Sequence, residues 1–131
     1  MYLMGESLGA ALSAQVAAAD PEKFAGIVLF TPWKSLATLV NEKFAHIPLS
    51  LLLRERLDTA AALDAYTGHV VIVGAGNDTI IPPGHARALA DANKKRHYFE
   101  LQDAGHNDWY DALQAGQWDR LLRLMSGTTS P

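Results

Sequence analysis

Hydrophobic positions in this chain gather into short unbroken runs, separated by longer amphipathic or alanine-rich stretches. Tyr2-Leu3-Met4 is the first run, and Gly26-Ile27-Val28-Leu29-Phe30 is the second, closed by Thr31-Pro32. Val70-Val71-Ile72-Val73 is the clearest, ended by Gly74 and Gly76, and His97 to Leu101 supplies a fourth. Apolar runs of this length without alternation mark strands buried on both faces. Between them, Ser7 to Ala19 holds strong helix formers and no proline, and Asp20-Pro21 stops it. Pro82-Pro83 opens a helix reaching to about Asn93, with Ala86, Leu89 and Ala90 on one face. Asn107 to Leu113 and Gln117 to Met125 read as closing helices separated by Gly116, and Ser126 to Pro131 as a frayed tail. Residues 31 to 66 form the longest gap between strands and contain helical pieces at Trp33–Phe44, Leu49–Leu57 and Thr59–Tyr66. Strands alternating with helices predict one α/β domain over residues 1–131: a parallel sheet of about four strands, covered on both faces.

Composition narrows the function classes. The chain has 131 residues, 49% of them apolar and 19% charged, which suits a packed core and not a disordered segment. Its net charge is −3, and its densest basic run is Lys94-Lys95-Arg96, placed to complement a helix C-terminus. No nucleic-acid partner is expected from that balance. With no cysteine, disulfides and thiolate metal sites are excluded and a reducing compartment is permitted, so the cytoplasm is the expected location. The most apolar segment, Ile47 to Leu53, contains Pro48 and is far shorter than the ~20 residues of a membrane span.

Chemistry enters at Gly5-Glu6-Ser7-Leu8-Gly9, a G-x-S-x-G sequence lying between a strand and a helix. Such a turn is tight, so the residues around the serine must lack bulk, and Gly5 and Gly9 are expected to let the helix start against the strand. The hydroxyl then stands at the carboxyl end of the sheet beside backbone N–H groups able to stabilise an oxyanion. The alternative is a plain helix N-cap serine. A serine nucleophile requires a base held in one tautomer by a third group. Of the five histidines, His46 lies in the insertion, His69 precedes a strand, His85 occupies a first helical turn and His97 begins a strand. Only His106, in "DAGHND", follows a strand in a glycine-containing loop. The acid candidate is Asp78, in "VIVGAGNDTIIP"; its alternative is a turn residue that satisfies local N–H groups. In the order Ser7, Asp78, His106, each candidate follows a different buried strand, and parallel strands bring all three to one rim. No metal is expected, since His106-x-Asp108 lacks the i, i+4 spacing of two ligands on a helical face.

On "GESLGAA", "GAGNDTIIP" and "AGHND" the chain resembles the C-terminal half of the α/β-hydrolase superfamily, nearest its serine-aminopeptidase-like branch of small esterases and acyl-protein thioesterases. The resemblance covers nearly the whole chain. It implies a serine hydrolase of esters, thioesters or amides that needs no cofactor, with Ser7 as nucleophile, His106 as base, Asp78 as orienting acid and the Leu8 N–H as oxyanion donor. In that family the nucleophile follows the fifth strand, and here it follows the first, so the resemblance also implies a missing N-terminal half. Further expectations attach to it. The second oxyanion donor of the family has no counterpart here, and the first strand is an exposed edge open to a complementing half or to self-association. A non-catalytic remnant or interaction module is the rival reading. Residues 31–66 correspond to a lid region, where Trp33, Phe44, Ile47, Leu49 and Leu51 to Leu53 either wall an acyl site or simply roof the sheet. Trp109 and Tyr110 are read as helix packing.

Overall fold

The computed structural model describes residues 1–43 and 57–128. Four strands, β1 (Tyr2–Glu6), β2 (Gly26–Phe30), β3 (His69–Ala75) and β4 (His97–Leu101), form one sheet in the order β1-β2-β3-β4. Every neighbouring pair is parallel, with Gly5 opposite Leu29, Leu29 opposite Ile72 and Ile72 opposite Tyr98. Parallel pairing requires a crossover between strands, and helices supply these. They are α1 (Leu8–Ala19), α2 (Leu36–Lys43), α3 (Thr59–Ala65) and α4 (Gly84–Asp91), and α5 (Trp109–Ala112) and α6 (Ala115–Met125) follow the last strand.

β2 is buried at every position and β3 at all but His69. Their side chains alternate between two apolar clusters, as the pleat dictates. Ile27, Leu29, Val70 and Ile72 meet Ala10, Ala14, Ala17, Leu63 and Leu89 from α1, α3 and α4. Val28, Phe30, Val71 and Val73 meet Trp109, Leu113, Leu121 and Met125 on the other face. Alanines at positions 10, 14 and 17 give α1 a flat inner face, so its axis lies close to the sheet.

The insertion is closed at its base. Leu36 N–H donates to Leu57 O at 3.0 Å and Ala60 N–H to Lys34 O at 3.0 Å, while Ser35 and Asp58 form an antiparallel bridge. Asp58 then caps α3, accepting from Ala61 N–H at 2.9 Å. Trp33 is buried in a small cluster with Ala11 and Ile81, donating its indole N–H to Leu57 O at 3.3 Å. Phe44, His46, Ile47, Leu49, Leu51 to Leu53 and most of the expected Leu49–Leu57 helix lie outside the described residues, as do the last three residues of the expected frayed tail.

Several boundaries differ from the sequence expectation. β1 and β3 run two residues further, to Glu6 and Ala75, because parallel pairing with β2 and β4 continues past the apolar run. Gly116 does not separate the closing helices. α6 starts before it, at Ala115, where the Gln117 side chain accepts the Gln114 N–H at 2.9 Å and satisfies an otherwise free donor. α5 is only four residues, ending where Leu113 turns extended.

Candidate active site

The carboxyl ends of the strands carry the candidate side chains. Ser7 directly follows β1, Asp78 lies just beyond β3, and His106 lies in the loop after β4. Ser7 has φ 52°, in the left-handed region, and Thr31, which follows the paired end of β2, has φ 46°. Among the described residues these are the non-glycine residues with positive φ. Each such conformation costs of order 1–2 kcal/mol, so backbone strain collects on one stretch of rim. Ser7 N–H donates to Phe30 O at 3.0 Å and Thr31 N–H to Val73 O at 2.8 Å, so the sheet itself holds both in place. The Thr31 hydroxyl is buried without a partner.

Gly5 is the glycine that the turn requires. A Cβ there would stand 2.2 Å from Gly9 O and 2.5 Å from the Ser13 hydroxyl. Gly9 behaves otherwise: a Cβ on it would meet nothing within 4 Å. The close approach of helix and strand therefore runs through the Gly9 carbonyl and the bare face of Gly5, and the expectation that both positions need to lack bulk is corrected for Gly9.

The three side chains form a continuous chain of hydrogen bonds. Asp78 Oδ2 lies 2.7 Å from His106 Nδ1, and His106 Nε2 lies 3.1 Å from Ser7 Oγ. An ionised carboxylate can only accept, so Nδ1 carries the hydrogen and the neutral ring turns the lone pair of Nε2 toward the hydroxyl. The other Asp78 oxygen accepts from Ile80 N–H at 2.9 Å and Ile81 N–H at 2.8 Å. One oxygen of Asp78 thus satisfies local N–H groups, as a turn residue does, and the other contacts the imidazole. Its side chain is 1% exposed and that of His106 10%, so water competes little for this pair. Ser7 is the N-cap residue of α1 by position, yet its side chain caps nothing. Ala10 N–H and Ala11 N–H donate to Ser7 O at 3.0 and 3.4 Å, and Leu8 opens the helix, where the first N–H groups of an α-helix find no partner in the helical pattern.

The remaining described histidines are placed elsewhere. His69 starts β3 and His97 starts β4, both at the opposite rim. Buried His85 accepts the Lys34 N–H at Nδ1, at 3.1 Å, and its Nε2 lies 2.7 Å from Glu42. Sequence reasoning missed one link at the rim, the indole N–H of Trp109 donating to Glu6 Oε1 at 2.9 Å. Among the described residues no group of three or more His, Cys, Asp or Glu side chains could hold a metal ion, and no helix is long and apolar enough to cross a membrane.

Comparison with known proteins agrees with this architecture. An uncharacterized protein found in two strains of Mycobacterium tuberculosis is 31% identical over 105 residues, which are 79% of this chain and 37% of that protein. The chain thus spans little over a third of the length of the curated relatives it matches. Among solved structures, acetyl xylan esterase 1 from Thermoanaerobacterium sp. superposes with a TM-score of 0.69 at 20% identity, covering 98% of this chain and 45% of that one. The esterase domain of a Rhodothermus marinus protein gives 0.69 at 17% identity, covering 93% and 58%. An esterase of Pyrococcus furiosus gives 0.68 at 15%, covering 95% and 54%. These likenesses establish a partial α/β-hydrolase fold. The profile of the family described as Serine hydrolase matches residues 1–126, and the chain belongs to that family.

Proposed function

We propose that this chain carries the acyl-transfer machinery of a serine hydrolase acting on an ester, thioester or amide. The observation behind the reading is the unbroken relay from Asp78 through His106 to Ser7. His106 Nε2 takes the proton as Ser7 Oγ attacks the acyl carbon, and Asp78 stabilises the imidazolium that forms. The imidazolium returns that proton to the leaving group, and the acyl-serine is cleared by a water that His106 activates in turn. The Leu8 N–H is the oxyanion donor in this scheme, at the start of a helix whose dipole favours negative charge. No cofactor takes part. Three of the structural neighbours are esterases by name, so small esters are the first substrates to assay. The motif resemblance keeps thioesters and peptides in the series.

Labelling with a fluorophosphonate tests the reading. The expected result is covalent labelling of the wild-type chain and none of Ser7→Ala. Equal labelling of Ser7→Ala overturns it.

A second reading is favoured by the open side of β1, which among the described residues pairs with β2 alone, and by the apolar side chains exposed around it. On this reading the chain is inactive by itself and requires a complementing segment along that edge. Folded protein that labels only after such a segment is supplied would support it.

A further inference from the structure

A second link joins the nucleophile to the imidazole, and the acyl-transfer scheme makes no use of it. Glu6 immediately precedes Ser7, and Trp109 follows His106 by three positions in the same loop-helix segment. Trp109 Nε1–H donates to Glu6 Oε1 at 2.9 Å, across 103 positions of chain. The same indole stacks on Phe30, with ring centroids 4.0 Å apart and planes 17° from parallel. Phe30 is the register partner of Glu6, and its carbonyl accepts the Ser7 N–H.

The segment bearing His106 is therefore anchored at both ends, to different neighbours. At its upstream end, Asn77 N–H donates to Ala104 O at 2.9 Å and Gly76 N–H to Leu101 O at 2.9 Å. Those bonds tie it to the turn that carries Asp78, and the contact is close enough that a Cβ on Gly76 would fall 2.4 Å from Gln102 O. At its downstream end, the Trp109 contacts tie it to the ends of β1 and β2, beside Ser7. One anchor serves the bond from His106 to Asp78, and the other serves the bond from His106 to Ser7.

We infer that the Glu6–Trp109 hydrogen bond is a positioning device that sets the separation of His106 from Ser7 while leaving the His106–Asp78 pair to its own anchor. The inference rests on the acyl-transfer reading of Ser7. Glu6 and Trp109 touch neither substrate nor reacting atoms in this scheme, and they act through the loop they hold. The bond suits that task because its donor belongs to a buried ring already fixed by stacking, and its acceptor is a carboxylate on the residue next to the nucleophile. Reacting groups displaced by as little as ~1 Å can lose ~10²-fold in rate, so one anchoring bond has leverage on the chemistry.

Four variants of the full chain test the link: Glu6→Ala, Glu6→Gln, Trp109→Phe and the double variant Glu6→Ala/Trp109→Phe. Glu6→Ala is expected to slow fluorophosphonate labelling of Ser7 about tenfold, and Trp109→Phe by a similar factor. The double variant should lose about as much as either single one, since both remove the same bond. Glu6→Gln keeps an acceptor oxygen and should stay within about twofold of wild type. Equal rates for Glu6→Ala and Glu6→Gln, or losses that multiply in the double variant, overturn the inference. A second readout does not need the reaction. The 15N shift of His106 Nε2 should move in Glu6→Ala toward its value in Ser7→Ala and stay in place in Glu6→Gln, while the downfield Nδ1 proton shared with Asp78 persists in each. Glu6→Ala and Glu6→Gln remove the same charge, so a difference between them reports placement. A chain that labels in no variant sinks the acyl-transfer reading, and the Nε2 shift then decides the link alone: identical shifts in Glu6→Ala and Glu6→Gln refute it.

Discussion

Asp78 shows how much can rest on one side chain. Its Oδ1 closes the turn through two backbone N–H groups, and its Oδ2 faces the imidazole. Two substitutions separate these duties. Asp78→Asn retains an acceptor for Ile80 and Ile81 but presents an NH2 group to His106, which favours the wrong tautomer. Hydrolytic activity should fall by ~10⁴ with little change in melting temperature, as a tautomer error does in a serine-histidine-aspartate relay. Asp78→Ala strips both functions and leaves the Ile80 and Ile81 donors without their acceptor, the second of them buried, so urea unfolding should show an added loss of about 1–3 kcal/mol. If the two variants unfold alike, the turn does not depend on Oδ1. The sequence marked Asp78 as either a turn residue or an acid, because both roles ask for the same residue after a strand. Only the positions of its two oxygens show that one side chain can close the turn and contact the imidazole at once. Ser7 was ambiguous in a related way: its N-cap position was legible, but its Oγ bond to His106 depends on a loop 99 residues away.

Among the elements, the junction of β1 and α1 and the junction of α4 and β4 each make a measurable claim. Gly5→Ala would drive a Cβ into the Gly9 carbonyl, and backbone cannot move aside as a flexible side chain does, so a loss of about 1–3 kcal/mol or more is expected. Gly9→Ala places its methyl in open space within a helix and should be neutral or stabilising by up to about 1 kcal/mol. Paired thermal melts of the two variants check this, and equal losses would contradict the geometry. At the second junction Glu100 on β4 takes a bidentate contact from Arg87 on α4 and a 2.6 Å bond from the Tyr98 hydroxyl. The Arg87 hydrogen bonds, and then that of Tyr98, hold its carboxyl near pKa 2 against an ordinary value of 4.5. The folded state thus releases this proton more readily than the unfolded chain. The stabilisation is full above pH 4.5 and fades as pH falls toward 2. Because Arg87 is half exposed, a contribution of roughly 1 kcal/mol is expected, visible as a shallower acid limb in Glu100→Gln. The strands and most helices were legible because buried parallel strands are written as unbroken apolar runs. The start of α6 was not, since Gly116 reads as a breaker while the deciding bond comes from the Gln117 side chain. The two glycines of the motif looked equivalent because a sequence does not say which partner contributes the carbonyl.

At the scale of the molecule, the sheet is covered on both faces and open along β1. Among the described residues β2 and β3 have neighbours on each side, whereas β1 and β4 each pair on one side, and it is β1 that carries the exposed apolar side chains beside its free backbone groups. Tyr2 and Met4 on β1 and Leu8, Leu12 and Val16 on α1 are each about half exposed, although apolar. Side chains of this kind on the two elements nearest an unpaired edge favour strand addition. On the proposal that this edge takes a partner, a complementing strand and a second copy of the chain make different predictions. Self-pairing makes sedimentation concentration-dependent in the purified chain and leaves the rate of Ser7 labelling unchanged. A complementing segment keeps the mixture at a defined stoichiometry and raises labelling, because it braces the strand that leads into Ser7. Met4→Lys puts a charge beside the edge, so it should suppress either association. Met4 is already half exposed, so the melting temperature of the monomer should hardly change. A wild-type chain that stays monomeric at high concentration, ignores added strands and melts as Met4→Lys does would show that this edge needs no cover.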